Sequence, residues 1–220
     1  MKIHFNVFLC FILQAGLALP LVAQDPLRLE SDVNEITARD KSINKKDIIL
    51  FTGSSSIRIW DDIQSYFPGH NIVNTGFGGS ETSDLLYYFN KLILPYKPKQ
   101  IFIYEGDNDL NSGKSSSQIL ATSDSLLRLI REHVSEKVQV FFISPKPSLA
   151  RWQLKERYEQ YNRELKKWVA RQKNVTFIDV WTPSLDQQGK VFQDIFLEDG
   201  LHMNKKGYVI WAREIGKFVH

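Results

Sequence analysis

An aspartate three residues ahead of a histidine on one turn can hold the imidazole's tautomer and orientation, and the chain carries that pair as Asp199-Gly200-Leu201-His202. An imidazole so held takes a proton from a serine hydroxyl, which is otherwise a poor nucleophile. Ser55, in Gly53-Ser54-Ser55, follows the apolar run Ile48-Ile49-Leu50-Phe51 and is placed to be that serine. Acyl transfer also needs donors aimed where negative charge develops on the former carbonyl oxygen, each contributing about 3–4 kcal/mol. Three are available: the backbone N–H groups of Ser55 and Gly79 and the side-chain amide of Asn108. Taken singly, Ser55 reads as a helix cap, Gly78-Gly79 as a strand-to-helix turn and Asn108 as another cap. Their joint order gives the set its chemical meaning.

These four blocks, Gly53-Ser54-Ser55, Gly78-Gly79-Ser80, Gly106-Asp107-Asn108-Asp109 and Asp199-x-x-His202, resemble those of the SGNH or GDSL-type esterase and acylhydrolase family in its small flavodoxin-like form, which includes platelet-activating-factor-acetylhydrolase-like members. The resemblance spans most of the chain. It implies Ser55, Asp199 and His202 as catalytic residues, and Ser55, Gly79 and Asn108 as the oxyanion hole. It also implies a three-layer α/β/α sandwich with a five-stranded parallel sheet in flavodoxin-like order. Two positions depart from the family pattern, Ser54 where an Asp usually precedes the nucleophile and Ser80 where Asp usually follows the second-block glycine. Asp107 and Asp109 are expected to support the site or start a helix. Within the family, a short-chain ester, such as an O-acetylated carbohydrate, competes with a lipid ester as substrate, and a non-catalytic carbohydrate-binding member is a third reading.

Rival chemistries lack their parts. The sequence has no G-x-S-x-G elbow and no P-loop, and Gly76-Phe77-Gly78-Gly79-Ser80-Glu81 misses the third glycine of a dinucleotide fingerprint. His70 and His133 stand alone without metal-ligand spacing, so neither a metal nor another cofactor is implied.

Residues so far apart in sequence meet only if the chain stacks their strands side by side. Five apolar runs, Asp47 to Thr52, Asn71 to Thr75, Gln100 to Glu105, Val138 to Ser144 and Val175 to Trp181, read as strands buried on both faces. Between them Thr82 to Leu94, Ser116 to Glu132 and Arg151 to Lys173 carry helical spacing, and Asn204, a suitable N-cap, opens a last helix to Phe218. This alternation predicts an α/β fold whose catalytic groups gather at the carboxyl ends of the strands. Trp60, Tyr104 and Trp181 follow strands on that side and are candidate platforms for a sugar ring, although each taken singly reads first as core packing.

With 43% hydrophobic and 24% charged residues among 220, the chain has an ordinary globular composition and enough length for one sizeable core. Residues 1–23 differ: one lysine leads into an apolar stretch from Phe5 to Val22 closed by Ala23, the pattern of a secretory signal peptide cleaved after Ala23. Residues 24–46 read as a polar lead-in with a short helix against the domain's edge, and 47–220 as the hydrolase domain. A secreted or periplasmic enzyme without a stable membrane span is expected. Cys10 lies inside the leader, so the mature domain has no thiol nucleophile. The formal charge of +3 gives no reason to expect nucleic acid as a partner, and a small-molecule or carbohydrate ester remains the expected one.

Overall fold

The computed structural model describes residues 25–220, so the expected leader and its cleavage position lie outside the described residues. Strands β1 (Ile48–Gly53), β2 (Asn71–Gly76), β3 (Gln100–Tyr104), β4 (Gln139–Ile143) and β5 (Val175–Ile178) form one sheet in the order β2-β1-β3-β4-β5. All four pairings are parallel. The helices are α1 (Glu30–Arg39), α2 (Ser55–Arg58), α3 (Ile63–Tyr66), α4 (Thr82–Tyr87), α5 (Phe89–Leu92), α6 (Asp107–Asn111), α7 (Ser116–His133), α8 (Lys155–Val169) and α9 (Lys205–Ile215).

Side chains alternate between two cores because successive residues of a strand point to opposite faces. On β1, Ile48 and Leu50 join the layer under α1, α4, α5, α7 and α8, whereas Ile49 and Phe51 join the layer under α2, α3 and α9. β3 divides likewise, Ile101 and Ile103 on the first face and Phe102 and Tyr104 on the second. The register aligns Phe51 with Phe102 and Phe102 with Phe141, and their rings stack with centroids 4.6 and 4.4 Å apart. This three-ring ladder ties the central strands together on the α9 side.

The same register sets the height of the catalytic loops. Gly53 lies opposite Gly76 on one side and Tyr104 on the other, so the chain leaves β1, β2 and β3 at one level. The sheet reverses its winding between β1 and β3, and the crevice outside the carboxyl ends of strands at such a point is where open α/β sheets bind ligands. Gly53 sits at φ +117°, and a Cβ there would lie 2.1 Å from the carbonyl oxygen of Tyr104. Only glycine allows the nucleophile turn to lie this close to β3, where the Ser54 N–H donates to that oxygen at 3.0 Å.

Several boundaries differ from the sequence expectation. β5 stops at Ile178 because Asp179 Oδ1 accepts the N–H groups of Trp181 and Thr182 at 2.9 and 3.0 Å and turns the chain. The stretch Thr82 to Leu94 forms two short helices meeting at Tyr88, and Arg151 precedes a single 3₁₀ turn, Trp152–Leu154, before α8 begins. Asn204 does cap α9, its side chain accepting from the N–H groups of Lys206 and Gly207. The lead-in is more deeply built in than an edge segment, with Leu29, Val33 and Ile36 buried in the core. No helix among the described residues is long and apolar enough to cross a membrane.

Candidate active site

Ser55 is the first residue of α2, and His202 and Asp199 lie on the turn before α9; the packing of α9 against the face of β1 and β3 brings them together. His202 Nε2 is 2.9 Å from Ser55 Oγ, and His202 Nδ1 is 2.5 Å from Asp199 Oδ2. Burial alone would raise the Asp199 carboxyl, but the Leu201 N–H, the His202 side chain and the His202 N–H together hold it down, to about 2. A carboxylate ionised at neutral pH requires a proton on Nδ1, which leaves the Nε2 lone pair to accept from the Ser55 hydroxyl. The Asp199 side chain is 47% exposed, so this carboxylate holds the imidazole from an open, solvent-facing position.

The N–H groups of Ser55 and Gly79 donate to no protein atom among the described residues. A Cβ placed on Gly79 would meet nothing within 4 Å, so the side of this residue where a side chain would stand is open space. The Asn108 amide is oriented without ambiguity: its Oδ1 accepts from Arg151 Nη2 at 2.9 Å, a group that only donates, and its Nδ2 donates to the Ser80 carbonyl at 2.8 Å, a group that only accepts. The second Nδ2 hydrogen goes to Ser54 Oγ at 2.7 Å. An oxyanion binding to Asn108 must therefore take over one of these bonds, and the hydroxyl of Ser54, itself able to reorient, is the easier to displace.

The two departures from the family pattern thus have defined places. Ser54 meets the Asn108 amide, and Ser80 Oγ donates to Glu105 Oε1 at 2.7 Å. Sequence reasoning missed the residue beneath Asn108. Arg151, expected to open the helix that runs to Lys173, lies on the β4–α8 connection and points inward, its Nη1 donating to Asp107 Oδ1 at 2.6 Å. Asp107 also accepts from the hydroxyls of Tyr104 at 2.7 Å and Tyr158 at 2.5 Å, with Lys146 Nζ at 3.4 Å. Burial opposes ionisation of Asp107, but the Lys146 and Arg151 charges and the hydrogen bonds from Tyr158 and Tyr104 together outweigh it and hold the carboxyl well below its usual range. Asp107 supports the loop that carries Asn108. The one sequence signal for Arg151 was its place just after the Pro145-to-Ala150 segment, where helical spacing had not yet begun.

The aromatic platforms are a correction. Trp60 and Tyr104 are fully buried, Trp60 stacked on Tyr208 at 4.9 Å and Tyr104 packed against Trp211 at 4.8 Å, so neither ring has a face for a ligand. Trp181 is 7% exposed, and half-buried Trp152 stacks over it at 6.2 Å. Among the described residues no group of three or more His, Cys, Asp or Glu side chains is placed to share a metal ion.

The family model for the GDSL-like Lipase/Acylhydrolase family matches residues 51–210. No curated protein matches the chain at a significant level. Among solved structures, the fold is similar to a protein from Streptococcus pneumonia provisionally described as a platelet activating factor (TM-score 0.77, 19% identity, 88% of this chain and 95% of that one). It is also similar to a GDSL-like lipase from Bacteroides thetaiotaomicron (TM-score 0.72, 16% identity, 89% and 98%) and to a catalytic mutant of an acetylxylan esterase from Geobacillus stearothermophilus (TM-score 0.64, 18% identity, 80% and 95%).

Proposed function

The chain belongs to the GDSL-like lipase/acylhydrolase family, and on that premise we propose that it is a serine esterase that cleaves short-chain, above all acetyl, esters through an acyl-enzyme intermediate. The observation that carries this reading is the unbroken relay from Asp199 through His202 to Ser55 beside two undonated N–H groups. His202 takes the Ser55 proton as Oγ attacks the ester carbonyl, and the N–H groups of Ser55 and Gly79 with the Asn108 amide receive the oxyanion. The imidazolium returns the proton to the departing alcohol. A water activated by His202 then hydrolyses the acyl-serine.

An O-acetylated carbohydrate is the natural substrate in this reading, supported by the open space over Gly79 and by the apolar leader expected to export the chain. A lipid ester is the second reading, favoured by the exposed Leu149, whose Cβ would be 3.1 Å from a Cβ on Gly200 in the catalytic turn, and by exposed Leu197 in that same turn. Ser55→Ala should abolish hydrolysis of an aryl acetate with an unchanged thermal midpoint, and a serine-directed phosphonate should label Ser55 in the parent protein. Full activity in the variant, or labelling elsewhere with loss of activity, refutes the reading.

A further inference from the structure

The loop that offers the Gly79 N–H is held largely from the N-terminal segment. Asp32, on α1, accepts the Gly78 N–H through Oδ2 at 3.0 Å. Arg28, one turn earlier, pairs in bidentate fashion with Asp84 at 2.9 and 2.5 Å, and its Nη2 reaches the Gly79 carbonyl at 3.5 Å. Asp84 passes the restraint on by accepting the Glu81 N–H at 2.9 Å. From the other side the Asn108 amide and Glu105 hold the Ser80 carbonyl and hydroxyl. The peptide that carries the Gly79 N–H thus lies between groups tied at both ends, while that N–H itself stays undonated among the described residues. The fit at Gly78 is close: a Cβ there would lie 3.0 Å from Arg58 Nε and 3.2 Å from Asp32 Oδ2. Leu29, Val33 and Ile36, buried in the core, fix the segment that presents Arg28 and Asp32.

We infer that Asp32 and Arg28 are positioning residues for the oxyanion hole, and that residues 25–39 are therefore part of the catalytic frame. This rests on the esterase reading above, which gives the Gly79 N–H its role. Donors contribute to catalysis through preorganisation, and an amide free to turn away from the developing charge loses much of its effect while substrate binding is unaltered. Asp32 does this as a hydrogen-bond acceptor, so a neutral acceptor of the same shape should serve, whereas truncation should not.

The test uses the full chain and an aryl acetate. Asp32→Ala should lower kcat by about 10–100-fold, with KM within about twofold, a fraction of the 10²–10³ typical of deleting a donor outright. Asp32→Asn should recover kcat to within about threefold of the parent. Leu126→Ala, which truncates a fully buried side chain of α7 outside residues 25–39, should lower the thermal midpoint yet keep kcat. Unchanged kcat in Asp32→Ala, or an equal loss in Leu126→Ala, overturns the inference. Ser55→Ala measured alongside separates the two levels: if it is inactive while Asp32→Ala is unimpaired, only the positioning role falls, and if Ser55→Ala is active both fall.

Discussion

Glu105 is a carboxyl group at the last position before the Gly106 turn, 5% exposed, with Ser80 Oγ donating to Oε1 and no partner for Oε2 among the described residues. Burial pushes its titration well above the usual carboxylate range, and the charge of Asp109 adds to the shift. A group whose folded value is raised stabilises the fold below its unfolded value, about 4.3, and that contribution is lost as pH rises through the folded value. Glu105→Gln keeps the acceptor for Ser80 and removes the titration. Its thermal midpoint relative to the parent should therefore climb as pH rises above about 4.3 and level off once the folded-state titration is passed. A difference constant over that range would show that Glu105 does not titrate differently on folding. The consequence is local to the active site, since Ser80 also carries the carbonyl that anchors Asn108.

At the scale of elements, the ladder Phe51–Phe102–Phe141 bridges the three strands whose ends carry or flank the site. Phe102 is fully buried in its middle, so Phe102→Ala should lower stability by about 3–5 kcal/mol in denaturant unfolding. A loss below about 1 kcal/mol would mean that the layer under α9 can collapse into the cavity. The strands were legible in the sequence because each is an apolar run punctuated by Gly, Pro or Ser, and Ser55, Gly79 and Asn108 were legible because each follows such a run. For Tyr104, strand parity decides between core and platform: two residues beyond Phe102, it must share that ring's buried face. Arg151 and Asp32 were hidden for another reason. Each is a charged residue in a polar stretch, and its inward direction depends on the Asn108 and Gly78 loops, contacts across 43 and 46 residues that no local spacing encodes.

On the scale of the whole molecule, acyl preference follows from how the chain beyond β5 is used. The connection from Asp179 to Asn204 is the longest loop near the site, and it folds back on itself through the bridges Leu185–Val191 and Phe196–Met203. Val191, Ile195, Phe196 and Met203 are buried in the core beneath α9, so this segment is committed to packing and does not close over Ser55. In the proposed reaction the acyl group lies on the side of Gly79 where nothing stands within 4 Å of an added Cβ to wall in a long chain. In a tunnel each buried methylene adds about 0.8 kcal/mol, about fourfold in kcat/KM, until the tunnel ends. On an open crevice that gain is absent and extra carbons only crowd the site. Across aryl esters of increasing acyl length, kcat/KM should thus be highest at acetyl and fall by the time the chain reaches about eight carbons. A steady rise of about fourfold per methylene over the same series would reject the acetyl preference and make Leu149 and Leu197 the lip of a lipid-binding surface.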